Sequence, residues 1–156
     1  MAYAVVRTDN LAGTTVGSLL RTAKAEVDIQ NGSVIKVVEL LPDEREKFKA
    51  EEAADAAMGE YALVASVEID YENHYANLDA FTNKAGALMR AYVLTHGDTF
   101  GVTAEAIDGT PEVGAEIALP SSGYKWTVAG DGDTAIGTII AEEQESGYDY
   151  FVIRIS

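Results

Sequence analysis

The sequence predicts a mainly β, β-rich α+β protein: a small β-barrel or β-sandwich with an extended N-terminal arm and at most one or two short helices. Two observations lead to this prediction. From residue 88 onward, short stretches alternate apolar and polar residues, which is the two-residue period of a strand. Tight-turn sequences such as Asp108-Gly109 and Asp131-Gly132 separate these stretches. Regular short strands between such turns are typical of small barrels and sandwiches.

The first thirty residues differ from the rest of the chain. Residues 1–30 mix short apolar pieces with Gly, Thr and Asn and sustain neither a helical nor a strand period. They are predicted to form an extended arm, and residues 31–156 a β-rich barrel or sandwich domain. Such an arm gains too little burial alone to offset its ordering entropy, so we expect it to dock on the barrel or on a partner. The candidate partner-binding residues are Tyr3, Val5, Val6, Leu11, Val16, Leu19 and Leu20.

The strands of the domain follow the tight-turn signal Asn31-Gly32. They are predicted over residues 33–41, 61–71, 88–95, 99–107, 113–119, 124–128, 135–141 and 148–155. Alternation in the part from residue 88, predicted to be a compact barrel or sandwich, gives an inward-facing set: Phe100, Val102, Ile117, Trp126, Ile139, Phe151 and Ile153.

Residues 42–58 fit two interpretations. Pro42 and the acidic residues after it suit a helix N-terminus, and Gly59 suits a helix end. The segment nevertheless lacks a wide apolar stripe. It is predicted to be either an exposed helix over residues 43–58 or an acidic loop.

Charge and composition restrict the classes of partner. The 156 residues carry a net charge of −15, which repels phosphate backbones and anionic membranes, so we expect no nucleic-acid or membrane partner. The chain has no cysteine, which excludes disulfides and thiolate metal sites. Residues 1–30 are neutral, because three basic and three acidic side chains balance: Arg7, Arg21, Lys24, Asp9, Glu26 and Asp28.

The candidate chemical groups each have a structural interpretation as well. His74 and His96 have no second histidine at ligand spacing, so a surface or structural role competes with a metal site. His96 and Asp98 could form an acid–base pair, but the intervening glycine favours a turn that Asp98 stabilises. No nucleophile-elbow, P-loop or GxGxxG sequence is present.

Three further groups point to ions or ligands. Glu68, Asp70 and Glu72 share one face of a predicted strand, either as a cation or docking site or as a solvated face. The sequence at 131–133 resembles the start of a calcium loop, but the later Asp or Asn ligand positions are absent, which favours a polar hairpin turn. Tyr124 and Trp126 could line a ligand pocket or belong to the core. We predict no catalytic residue, no metal and no cofactor.

Several segments resemble a family of small proteins of tailed bacteriophages of Gram-positive hosts, interpreted as head decoration or auxiliary capsid proteins. The similar pieces are the Leu-Pro end of the first strand in SVIKVVELLPDEREKF (33–48), ALVASVEIDYE (62–72) and ANLDAFTNKAGALMRAYVLTHGDTFGVTA (76–104). The similarity covers roughly residues 31–156.

The resemblance implies a structural virion protein and not an enzyme. It would bind the outer surface of a phage head, after synthesis in the bacterial cytoplasm, with the major capsid protein and copies of itself as partners. A tail or neck component remains an alternative from the same class. From other classes, a small-molecule or sugar-binding barrel would show an aromatic-lined pocket around Trp126, and an enzyme would show polar groups converging near His74 or His96.

Overall fold

The computed structural model describes residues 2–69 and 77–156, and over these residues the chain is mainly β, as predicted. The strands are β1 Val6–Asn10, β2 Leu20–Lys24, β3 Val34–Leu40, β4 Lys47–Glu51, β5 Tyr61–Val64, β6 Met89–Val93, β7 Thr99–Val102, β8 Ile107–Asp108, β9 Glu116–Ala118, β10 Trp126–Val128, β11 Ala135–Glu145 and β12 Tyr148–Ile155. The helical segments described are three-residue 3-10 turns at Ala12–Thr14, Gly17–Leu19, Leu78–Ala80 and Ala104–Ala106.

The strands form two sheets. Five of them close a barrel in the order β2-β4-β3-β5-β6, and seven form a second sheet in the order β1-β7-β12-β11-β9-β10-β8. The barrel therefore comes from residues 20–93, and the prediction that residues 88–156 make the barrel is corrected: apart from β6, their strands belong to the second sheet. Alternation shows which residues face inward along each strand, but it does not show which strands pair.

One wall of the barrel packs against the second sheet and creates a shared core. All four residues of β5 are buried, because Ala62 and Val64 face the barrel interior while Tyr61 and Leu63 face the second sheet. A strand covered on both sides is expected to be a continuous apolar run, as this one is. The seven residues predicted to face inward are all buried, at 8% exposure or less, which confirms that part of the pattern.

The turn at Asn31-Gly32 joins the two sheets. The Trp126 indole N–H donates a hydrogen bond to the Gly32 carbonyl oxygen at 2.8 Å, and the Trp126 ring packs against Phe100 with centroids 5.3 Å apart. The Asn31 side chain accepts from the Ser66 backbone N–H at 3.0 Å and donates to the Ser66 carbonyl oxygen at 2.9 Å. This turn therefore fixes the loop after β5 as well as the second sheet.

The prediction of an extended N-terminal arm is corrected, because residues 1–30 contribute β1 to the second sheet and β2 to the barrel. β1 pairs antiparallel with β7, and β2 closes the barrel between β4 and β6. The Val5 backbone N–H also donates to the Thr103 hydroxyl at 3.0 Å. The partners of these residues lie some tens of residues away or more along the chain, which is why no local period revealed them.

The helix or loop predicted over residues 43–58 is also corrected, because Lys47–Glu51 forms β4. Asp43 and Glu46 have φ values of +60° and +62°, which interrupt a right-handed helix. β4 pairs parallel with β2 and antiparallel with β3, so tertiary pairing overrides the helical propensity of this alanine-rich stretch.

Deleting residues 1–28 is expected to prevent folding. The deletion removes both β1 and β2, and the loss of β2 leaves the barrel open between β4 and β6. The truncated chain should show no cooperative thermal transition by circular dichroism. Deleting only residues 1–2 is the control, since it leaves both strands intact and should preserve the transition. A folded, cooperative 29–156 fragment would contradict this account of the N-terminal strands.

Candidate functional site

His96 and Asp98 do not form an acid–base pair in this structure. His96 is exposed, whereas Asp98 is buried at 4% exposure. The carboxylate of Asp98 accepts backbone N–H bonds from Ala12 at 3.0 Å and Thr95 at 2.9 Å, which confirms the turn-stabilising interpretation. The Asp98 carboxylate therefore links the turn before β7 to the N-terminal segment at Ala12.

The candidate ion sites do not assemble from the described residues. Glu68 follows the end of β5, while Asp70, Glu72 and His74 lie outside the described residues. Asp133 closes a polar turn by accepting from the Gly130 backbone N–H at 2.8 Å. Among residues 2–69 and 77–156, no group of three or more His, Asp or Glu side chains could hold a metal ion.

The two aromatic residues of β10 and the segment before it have different roles. Trp126 is fully buried and belongs to the shared core, and it does not line the cavity beside Tyr124. Tyr124 is half-buried and lines a cavity of about 660 Å³ at one mouth of the barrel, with Val27, Leu41 and Glu52. Burial, together with the nearby carboxylates of Glu52 and Glu51, raises the pKa of Tyr124.

The N-terminal residues predicted to bind a partner divide into buried and exposed members. Val5 and Leu11 are buried at 2% exposure each. Tyr3, Val6 and Leu19 are half-buried. Val16 and Leu20 are 44% and 38% exposed, so partner binding by these two stays a prediction.

Arg7, the basic residue of β1, is used within the fold. Its guanidinium pairs with Asp9 at 2.5 Å, Glu143 at 2.6 Å and Glu145 at 2.9 Å, and it lies 5.1 Å from the centre of the Tyr150 ring. The hydrogen bonds that Arg7 donates, led by those to Asp9, raise the pKa of Arg7 above its ordinary value. The cluster fastens β1 to the β11–β12 hairpin, so Arg7 is not free to receive a partner.

The sequence did not predict an apolar groove on the outer face of the barrel. The groove has a volume of about 870 Å³, and its apolar walls are Val67, Ile69, Phe81 and Leu88. Val67, Ile69 and Leu88 are 55%, 52% and 48% exposed. We call this feature the barrel groove. Contiguous exposed apolar surface of this kind marks an interaction site on a protein.

Two basic residues complete the rim of the barrel groove. Arg90 is exposed on the outer face of β6, two positions beyond Leu88, as the strand period requires. Lys84 has a side chain that is 71% exposed, and its ammonium lies 3.8 Å from the Asp28 carboxylate. Among the described residues that line the groove, none is acidic.

Buried amides hold the groove walls in place. The Asn83 side-chain amide donates to the Asn31 side-chain oxygen at 3.0 Å and to the Ile29 carbonyl oxygen at 2.9 Å. Ser66 lies on the opposite wall, and the Asn31 amide bonds to both its backbone N–H and its carbonyl oxygen. The Ser66 hydroxyl accepts from the Arg90 backbone N–H at 3.0 Å. Because both walls depend on the Asn31 amide, the groove is a fixed feature of the fold.

Comparison of the chain with known protein families, curated proteins and solved structures finds no match. No helix in residues 2–69 and 77–156 has the length and apolar character needed to cross a membrane.

Replacing Asp98 with alanine is expected to lower the free energy of unfolding by about 3 kcal/mol, because it leaves two backbone N–H groups without their charged acceptor. His96→Ala, two residues away and exposed, is the matched control and should change stability by less than about 0.5 kcal/mol. Urea unfolding measures both. Equal, small effects at the two positions would contradict the structural role assigned to Asp98.

Proposed function

We propose that this chain is a structural virion protein: a decoration or auxiliary capsid protein that binds the outer surface of a tailed phage head and stabilises the shell. In this proposal the chain is not an enzyme. The major capsid protein and neighbouring copies of this chain are its partners, and the assembled virion is its location.

The observation that carries the proposal is the barrel groove. A chain with a net charge of −15 exposes three large apolar side chains side by side there, and the exposure gains nothing for the isolated protein. Covering them with a partner would remove apolar area from water and favour association. The family resemblance of residues 31–156 supplies the kind of partner, a capsid subunit.

The rest of the molecule is consistent with a stabilising role. Two charged groups are engaged in holding the fold: the Asp98 carboxylate accepts from two backbone N–H groups, and the Arg7 guanidinium pairs with Glu143 and Glu145. A rigid body that contacts adjacent capsid subunits would favour the assembled shell, since binding stabilises whichever state it prefers. Several copies bound to one particle would add their contributions through multivalency.

The proposal is tested by co-expressing this chain with the major capsid protein encoded in the same genome. The chain should sediment with assembled heads at saturating stoichiometry and raise the temperature at which the heads dissociate. A serine substitution at Leu88 should weaken this binding, whereas Val113→Ser, at an exposed position in the turn before β9 and outside the groove, should not. Heads that assemble without retaining the chain would contradict the proposal.

A second candidate function is a small-molecule or sugar-binding barrel, and one observation favours it. The cavity at the barrel mouth combines an aromatic face at Tyr124 and apolar walls with charged side chains of both signs. The apolar walls are Val27 and Leu41, and the charged residues are Lys24, Lys49, Glu26, Glu51 and Glu52. Barrel mouths with this mixture of apolar and polar groups commonly hold small ligands. Trp126, the residue expected from the sequence to line such a pocket, does not take part.

This second function predicts that a sugar or other small ligand raises the thermal midpoint in a saturable way. Tyr124→Ala should abolish that rise, because it removes the aromatic wall of the cavity. Tyr148→Ala is the control, since Tyr148 is half-buried elsewhere on the molecule. A thermal-shift screen with mono- and disaccharides makes the measurement, and the absence of any saturable shift would count against the sugar-binding form of this function.

A further inference from the structure

We infer that the barrel groove receives a short acidic segment of the capsid protein whose apolar side chains fill the groove while its carboxylates pair with Lys84 and Arg90. This inference rests on the proposed function, and it specifies which surface of the chain makes the contact and what chemistry the partner brings to it.

The charge of the barrel groove differs from that of the chain as a whole. The chain carries 26 acidic residues and only 11 basic ones, so most of its surface repels an acidic partner. The barrel groove departs from this pattern, since Lys84 and Arg90 line it and no described lining residue is acidic. Within the described lining, an acidic segment therefore meets two cations and no carboxylate, which is the reverse of the balance over the whole chain.

Both cations of the groove, Lys84 and Arg90, can still bind a carboxylate. Lys84 meets Asp28 at 3.8 Å, and because the two side chains are 71% and 52% exposed, this pair is weak. Arg90 is exposed and projects from the outer face of β6 beside the apolar wall. A guanidinium at such a position can bind a carboxylate through two parallel hydrogen bonds.

The space between the two cations has apolar walls. Val67, Ile69, Phe81 and Leu88 provide apolar walls, so a purely acidic peptide would leave them in contact with water. Thr82, which lines the same groove, is 8% exposed, and its hydroxyl has no hydrogen-bond partner among the described residues. Buried hydroxyls normally have a partner, and a bound peptide brings acceptors to this wall. The partner segment therefore combines carboxylates with apolar side chains.

The charge of the groove is tested with heads of the co-encoded capsid protein and two full-length double variants of equal net charge. Lys84→Glu with Arg90→Glu should weaken binding to heads at least about tenfold, because two attractive contacts become repulsive. Lys125→Glu with Arg154→Glu changes the net charge equally at exposed positions outside the groove, and it should weaken binding less than about threefold. The difference between the two variants should shrink as salt is raised to about 1 M.

The position of the contact is tested independently of charge. Because the chain has no cysteine, Leu88→Cys introduces a unique thiol for a photo-crosslinker, with Val113→Cys, in the exposed turn before β9, as the control. Illumination on heads should link the Leu88 position, and not the Val113 position, to a capsid segment that is acidic and contains apolar residues. Mass spectrometry identifies that segment.

The outcomes separate the two proposals. If wild-type chain does not bind heads, the proposed function fails. If it binds heads but both double variants bind alike, or the Leu88 position links to a basic capsid segment or to a second copy of this chain, the function stands and the inference is overturned.

Discussion

The fold depends on a single tight turn, Asn31-Gly32, placed where the barrel meets the second sheet. Gly32 has a φ of +84°, which strains other residues, and a Cβ there would lie 3.1 Å from the Val102 side chain, so both the conformation and the tight space favour glycine. Its carbonyl oxygen accepts the indole N–H of Trp126, the largest residue of the core. The close approach of the two sheets is possible because no side chain stands between them at this point.

The same turn links the core to the candidate site. Asn31 is 1% exposed, and its amide bonds to both walls of the barrel groove, to the Ser66 backbone and to the Asn83 side chain. A buried amide with partners on every side fixes the positions of those partners, because each lost bond would leave an unsatisfied polar group. The groove therefore keeps its apolar walls exposed in the absence of a partner, and the ordering cost of binding is small on this side of the interface.

Sequence patterns predicted what depends on local alternation and missed what depends on distant pairing. The burial of Phe100, Ile117 and Trp126 was predictable from the strand period. The turn-stabilising role of Asp98 was predictable from the glycine that precedes it. β4 and the two N-terminal strands were missed because their partners lie far along the chain, and pairing overrides weak local preference. The sequence therefore predicted the fold class, including a small barrel, and most of one core, but not which strands close the barrel.

The barrel groove was missed for a related reason. Val67 and Ile69 lie within the strand predicted over residues 61–71, but the strand ends at Val64 and both side chains lie exposed. Only the fold shows that they lie beside Phe81 and Leu88. The remaining signal in the sequence was the presence of Lys84 and Arg90 in an otherwise acidic chain, and a pair of basic residues alone does not identify a site.

The central claim is that this chain attaches to a larger assembly through the outer face of the barrel. Electron cryomicroscopy of heads assembled with the chain tests it most directly, because a map shows which face of each bound copy is turned toward the shell. The account predicts that the barrel groove faces the capsid, with Val67 and Leu88 covered and the acidic β11–β12 hairpin directed away. A map in which the groove is open to solvent, while the seven-stranded sheet lies on the shell, would contradict it.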